Sequence, residues 1–184
     1  MKFTTVIQSL AADCQDYYGL LSKLVQHFRP KSVLELGTGT GRSAAAMMAV
    51  LPADGMLTTV NWPNPPSGDD VGIELKPWER DGRLCQALGD TRDDGIVDYV
   101  GDVFNPPGYG LLFIDSGTTH DFPLIAEEWR LYRPMLTDEA IVCVDDLDFP
   151  GGGIRKFWDA LPYEKVELPL SQFKFGVFKY KRRS

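Results

Sequence analysis

Two groups of residues in this 184-residue chain carry chemistry that packing alone does not require. The first is a run of alternating glycines, Gly37-Thr38-Gly39-Thr40-Gly41, preceded by Glu35-Leu36 and followed by Arg42-Ser43. Glycines permit positive φ and let a ligand approach the backbone closely. The second is a set of three aspartates at the ends of apolar runs. Asp115 follows Leu111-Leu112-Phe113-Ile114, and Asp145-Asp146 follow Ile141-Val142-Cys143-Val144. If those runs are neighbouring strands, the three carboxylates converge and repel one another unless protonated or neutralised. A hard divalent cation, which takes oxygen ligands, neutralises such a group.

The elements that must position these residues follow from periodicity. Leu20, Leu21, Leu24, Val25 and Phe28 share one helical face, so a helix is expected from Asp13 to Phe28, ended by Arg29-Pro30. A buried strand over Ser32–Leu36, a helix over Arg42–Val50 and a second strand over Met56–Val60 come next. After a Pro- and Gly-rich loop, a helix is expected over Trp78–Leu88, then strands over Ile96–Val100 and Leu111–Ile114. A helix over Phe122–Tyr132, a fifth strand over Ala140–Val144 and a helix over Ile154–Leu161 follow. Lys165–Leu168 and Phe175–Tyr180 read as an antiparallel pair. The alternation predicts an α/β fold: a doubly wound, mostly parallel seven-stranded sheet with helices on both faces and right-handed crossovers. Ligands in such sheets bind beyond the carboxyl ends of the strands, at the switch point.

The length fits a single domain over residues 1–184. A formal net charge of -7 opposes phosphate backbones and anionic lipid, so neither nucleic acid nor membrane is an expected partner. The three cysteines, Cys14, Cys85 and Cys143, are far apart and lack metal-type spacing. They read as free thiols in a reducing compartment, which makes a cytoplasmic location the expectation. Lys2 precedes a mixed polar stretch instead of a secretory apolar block, and the apolar run 44–51 is too short to span a bilayer.

The glycine turn suits a nicotinamide cofactor or S-adenosylmethionine. The dinucleotide pattern G-x-G-x-x-G fails from Gly37, because Arg42 takes the third glycine, and from Gly39 it places the strand end too early. A pyrophosphate calls for free helix N-terminal N–H groups. S-adenosylmethionine carries positive sulfonium and ammonium groups instead, which the acidic Glu35 suits. The stretch Glu35 to Gly41 resembles motif one of the Rossmann-like methyltransferases, E/D-x-G-x-G-x-G, which holds the methionine part of S-adenosylmethionine. That resemblance implies cofactor contacts at Glu35, Gly37, Thr38, Gly39 and Gly41. After the second strand, Asn61 stands where an acidic residue normally grips the ribose hydroxyls. Trp62 covers the adenine, walls the substrate pocket or packs the proline-rich loop. Asp102 resembles the residue that accepts from the adenine amino group, or else forms a turn.

The second half resembles a subset of that fold. Phe113-Ile114-Asp115, His120, a helix with Trp129, Val144-Asp145-Asp146-Leu147 and the stretch from Pro150 to Phe157 look like metal-dependent O-methyltransferases of the macrocin and cephalosporin-hydroxylase-like group. The resemblance implies Asp115, Asp145 and Asp146 as Mg²⁺ ligands, with Asp115 also beside the cofactor, and His120 as a base. His120 stands further beyond Asp115 than the group's usual spacing. The N-terminal extension is short, so the usual substrate cap is mostly missing; a homo-oligomer whose neighbouring subunit supplies a wall is expected. The implied activity is methyl transfer to a hydroxyl of a small molecule. A metal-free N- or C-methyltransferase and a non-catalytic S-adenosylmethionine-binding protein are the alternatives. Two Asn-Pro-Pro stretches, at Asn64 and Asn105, do not follow the fourth strand and read as stiffened loops.

Overall fold

The computed structural model describes residues 1–63, 70–103, 108–116 and 121–182. Its centre is a seven-stranded sheet of β1 (Ser32–Leu36), β2 (Met56–Asn61), β3 (Leu84–Leu88), β4 (Tyr109–Ile114), β5 (Leu136–Val144), β6 (Lys165–Leu168) and β7 (Phe175–Lys179). The order is β3-β2-β1-β4-β5-β7-β6. Strands β1 to β5 run parallel, and β7 lies antiparallel between β5 and β6. The expected doubly wound sheet with a late antiparallel pair is therefore observed.

Alternate residues of each strand feed two cores. Leu34, Leu36, Leu112, Ile114, Val142 and Val144 face one side, packed by α4 (Asp94–Val103), α5 (Phe122–Tyr132) and α6 (Gly153–Ala160). Val33, Leu111, Phe113, Ile141 and Cys143 face the other, packed by α1 (Phe3–Ala11), α2 (Tyr17–Phe28) and α3 (Arg42–Met48). Cover on both faces explains why β1 is buried at all of its positions and reads as a continuous run. Asp16 caps α2 by accepting from the Gly19 N–H. Helix α1, which buries Ile7 and Ala11, was not expected, although Phe3, Ile7, Leu10 and Ala11 recur at helical spacing.

The middle of the chain corrects the sequence reading. The strand expected over Ile96–Val100 is the body of α4, and the helix expected over Trp78–Leu88 is a 3-10 helix (Ile73–Trp78) followed by β3. Ile96, Val97 and Val100 lie at helical spacing, and the Asp93 carboxylate accepts from the Gly95 and Ile96 N–H groups at the start of the helix. β3 is an edge strand, half exposed, with little alternation to read. In consequence Asp102 sits exposed on α4, and the residues that follow the third strand are Gly89, Asp90 and Thr91. Among the described residues, no helix is long and apolar enough to cross a membrane.

β1 has β2 on one side and β4 on the other, so the connections leave it in opposite directions. The glycine turn lies at this switch point, where open α/β sheets form a crevice.

Candidate functional site

A cavity of about 440 Å³ opens beyond the carboxyl ends of β1 to β4. The turn after β1 forms its floor. Gly37 N–H donates to Val60 O at 2.8 Å, fastening the turn to β2. Gly37, Gly39 and Gly41 have φ of 103°, 50° and 92°. A Cβ at Gly37 would run into the Asp115 carbonyl, and one at Gly41 would meet Leu75 Cγ at 2.7 Å. A Cβ at Gly39 would meet no atom of the described residues within 4 Å, and Gly39 lines the cavity. Two of these glycines therefore serve packing, and Gly39 leaves room for a ligand.

Glu35 lies under this floor and does not line the cavity. It accepts from Ser43 Oγ of α3 and Thr59 Oγ1 of β2, each at 2.5 Å, and Thr59 Oγ1 is also 2.6 Å from Thr38 Oγ1. Complete burial pushes the Glu35 carboxyl up to about 7, against the opposing pull of the two hydroxyls. The direct cation contact expected of Glu35 gives way to a supporting role: it ties α3 and β2 beneath Thr38. Gly41 likewise stays off the cavity wall.

At the end of β2, Asn61 lines the cavity with a buried Nδ2 that has no hydrogen-bond partner among the described residues. Buried amide donors are rarely left unpaired, so this atom marks a place for an acceptor. Trp62 stands half exposed on the same wall. After β3, Asp90, Thr91 and Arg92 line the cavity, and Asp102 does not. Arg92 Nη2 and Nε donate to the Asp90 carboxylate at 2.8 and 3.0 Å, holding its pKa below the usual range. Glu128 of α5 also lines the cavity, 1% exposed. Thr91 Oγ1 and Ser116 Oγ donate to it, and burial pushes its carboxyl upward. Sequence reasoning missed both residues. A correctly placed third strand would have pointed to Asp90, and a carboxylate on the apolar face of α5 was the signal for Glu128.

Asp115, Asp145 and Asp146 do converge. Ile114 and Val144 are in register on β4 and β5, so the first two aspartates emerge side by side. One carboxylate oxygen from each of the three lies within 4.8 Å of the others. Asp146 takes the left-handed φ of 57°, and its N–H donates to Asp145 Oδ1 at 2.7 Å. Burial pushes the Asp115 carboxyl well above the ordinary range, reinforced by the negative charges of Asp145, Asp146 and Glu35 and opposed by the Tyr17 hydroxyl. Burial raises Asp146 as well. Closely spaced hard oxygen donors of this kind suit a divalent cation.

Tyr17 and Tyr18 of α2 form the wall above Asp115, their hydroxyls 3.1 Å apart. Tyr17 stacks on Phe175 at 5.2 Å, and Arg42 covers the Tyr18 ring at 5.0 Å. Burial first, then the charge of Asp115, pushes the Tyr17 hydroxyl far up. These two tyrosines supply, from the same chain, part of the wall that a neighbouring subunit was expected to provide. His120 and the Asn-Pro-Pro stretches at Asn64 and Asn105 lie outside the described residues.

No protein-family model matches the chain. Several solved structures share its fold. The O-methyltransferase TomG from Streptomyces achromogenes, involved in tomaymycin synthesis and solved with S-adenosylmethionine, is 20% identical over 90% of this chain and 80% of its own, with a TM-score of 0.69. An O-methyltransferase from Bacillus cereus, in complex with S-adenosylhomocysteine, is 17% identical over 96% and 88%, with a TM-score of 0.71. The S-adenosylhomocysteine-bound methyltransferase PaMTH1 from Podospora anserina is 13% identical over 90% and 78%, with a TM-score of 0.62. At these identities the likeness establishes the fold.

Proposed function

We propose that the protein is an S-adenosylmethionine-dependent methyltransferase acting on a hydroxyl of a small molecule, assisted by a divalent cation. The observation that carries this is the cradle at Gly39, where the turn leaves open space beside the switch point of the sheet. The buried Asn61 amide on the same cavity, unpartnered among the described residues, supports it, as does the fold shared with methyltransferases solved with S-adenosylmethionine or S-adenosylhomocysteine.

Bound in this cavity, S-adenosylmethionine would supply a methyl group activated by its positive sulfonium. The turn from Gly37 to Gly39 would hold its amino-acid part, with Glu35 stiffening the floor below. Asn61 can donate to and accept from ribose hydroxyls. Trp62 would cover the base. Asp90, Thr91 and Arg92 would take the place that the sequence reading assigned to Asp102. A cation held by Asp115, Asp145 and Asp146 would supply Lewis acidity toward an acceptor oxygen. Tyr17 and Tyr18 would exclude water and orient the acceptor above Asp115. His120 is the proposed base for the acceptor's proton.

Thermal unfolding with added ligands tests the cofactor. S-adenosylhomocysteine should raise the midpoint and NAD should not; stabilisation by NAD alone would overturn the proposal. A metal-free methyltransferase is the second reading. Calorimetric titration with Mg²⁺, with and without S-adenosylhomocysteine, separates the two.

A further inference from the structure

Glu128 is the buried carboxylate for which the proposed chemistry has no use. It projects from α5, whose other buried residues, Ile125, Trp129 and Tyr132, are apolar or aromatic. Burying a carboxylate is costly unless hydrogen bonds compensate, and a leucine would fill the same helix face without that cost. Its surroundings show what the carboxylate gains. Oε1 accepts from Thr91 Oγ1 at 2.5 Å and from Ser116 Oγ at 2.5 Å, and Oε2 accepts from Ser116 Oγ at 2.5 Å. Thr91 belongs to the segment after β3, and Ser116 directly follows Asp115 at the end of β4. One turn further along α5, the Tyr132 hydroxyl donates to the Thr91 carbonyl at 2.7 Å. Thr91 is thus gripped by its side chain and its backbone from a single helix. Thr91, Ser116 and Glu128 all line the cavity, next to Asp90 and Arg92.

We propose that Glu128 is a positioning residue for the adenosine end of the ligand: it locks the segment after β3 to the residue after β4, so that Asp90 and Arg92 stand in a fixed wall. The proposal rests on the cofactor proposed above. The closed joint is the reason for a carboxylate here. Two hydroxyls from different segments both donate to it, and an apolar side chain would leave both unpaired and the two segments free to part. Asp90 and Arg92 already hold each other, so their pair needs a fixed base beneath it to present one geometry to a ligand.

The test uses Glu128→Ala and Glu128→Gln in the full chain. Calorimetry would measure S-adenosylhomocysteine and, separately, adenosine; thermal unfolding would report stability. Glutamine can accept one hydroxyl and donate to the other, so it should keep both affinities within about threefold. Alanine removes both bonds and should weaken both ligands by about tenfold or more. Mg²⁺ affinity should be unchanged in both variants. A Glu128→Ala protein that is folded and binds adenosine and S-adenosylhomocysteine like the parent overturns the proposal. So does a Glu128→Gln protein that is as impaired as Glu128→Ala. If Glu128→Ala does not fold, Thr91→Val and Ser116→Ala each remove one side of the joint and should weaken adenosine several-fold; parental affinity in both overturns it. If the parent binds neither ligand, the cofactor proposal fails, and amide hydrogen exchange of residues 89–93 in the ligand-free chain decides this one. Faster exchange in Glu128→Ala but not in Glu128→Gln is expected, and equal exchange in all three proteins overturns the joint.

Discussion

Asp145 stands directly beside Asp115 at the carboxyl end of the sheet, and the Asp145 N–H donates to Ile114 O at 3.1 Å as the last rung between β4 and β5. The two carboxylates are therefore held together by backbone pairing. Their closeness is fixed before any ligand arrives, and a mutation of either side chain should leave the strand ends where they are.

Asp145→Asn should weaken Mg²⁺ binding by about tenfold or more and slow methyl transfer. S-adenosylhomocysteine affinity should stay near the parent value, since Asp145 does not line the cavity. Parallel calorimetric titrations check this. Equal Mg²⁺ affinity in mutant and parent, or none in either, would favour the metal-free alternative.

The glycines of the turn should separate by mutation. Gly37→Ala drives a methyl group into the Asp115 carbonyl and should destabilise the whole domain. Gly39→Val meets open space in the protein, costs about 1–2 kcal/mol for its positive φ, and fills the cradle. The expected outcome is a folded Gly39→Val protein without S-adenosylhomocysteine binding, read by circular dichroism and thermal shift. Retained binding would sink the cradle.

Glu35 should shape stability against pH. Its folded-state pKa, about 7, lies above the ordinary 4.5, so folding takes up a proton between those values. The stabilisation is complete below pH 4.5 and is lost as pH rises through about 7, for a change of about 3 kcal/mol at most. Asp115 acts in the same direction. Urea unfolding of Glu35→Gln between pH 4.5 and 7.5 should show a shallower decline than the parent; an identical slope would refute the assignment.

Asp90→Asn and Asp102→Asn make a matched pair. The first frees Arg92 beside the cavity and should weaken adenosine several-fold, while the second changes an exposed helix residue and should bind as the parent does. Adenosine titration of both proteins discriminates, and the reverse ranking would restore the assignment made from sequence.

Much of this was legible before any coordinates. β1, β4 and the second half of β5 are short, largely apolar runs that end at the proposed cofactor and metal sites, and burial on both faces makes such runs readable. The aspartates could be brought together because adjacent parallel strands fix what emerges from their ends. The region from Trp78 to Val103 was not legible. Ile96, Val97, Tyr99 and Val100 have the branched and aromatic side chains that favour strands, yet local capping by Asp93 starts a helix there. Leu84–Leu88 contains no β-branched residue and forms the sheet edge all the same. Misplacing that strand directed the expected adenine contact to Asp102, which lies on α4 and does not line the cavity. The place of Glu35 was not legible for a different reason: the motif shows an acid near the turn, but which side of the floor it occupies depends on its hydrogen bonds to Ser43 and Thr59.

The position of β7 between β5 and β6 has a consequence for how the chain is made. β6 leaves the ribosome before its strand partner β7 does, and the outer edge of β5 waits for that same partner. During synthesis both edges stay open until Phe175–Lys179 emerges, so the half of the sheet bearing Asp145 and Asp146 closes after the half bearing the glycine turn. A nascent chain stalled before residue 175 would present two unpaired strand edges to its neighbours, the condition under which growing chains associate with one another.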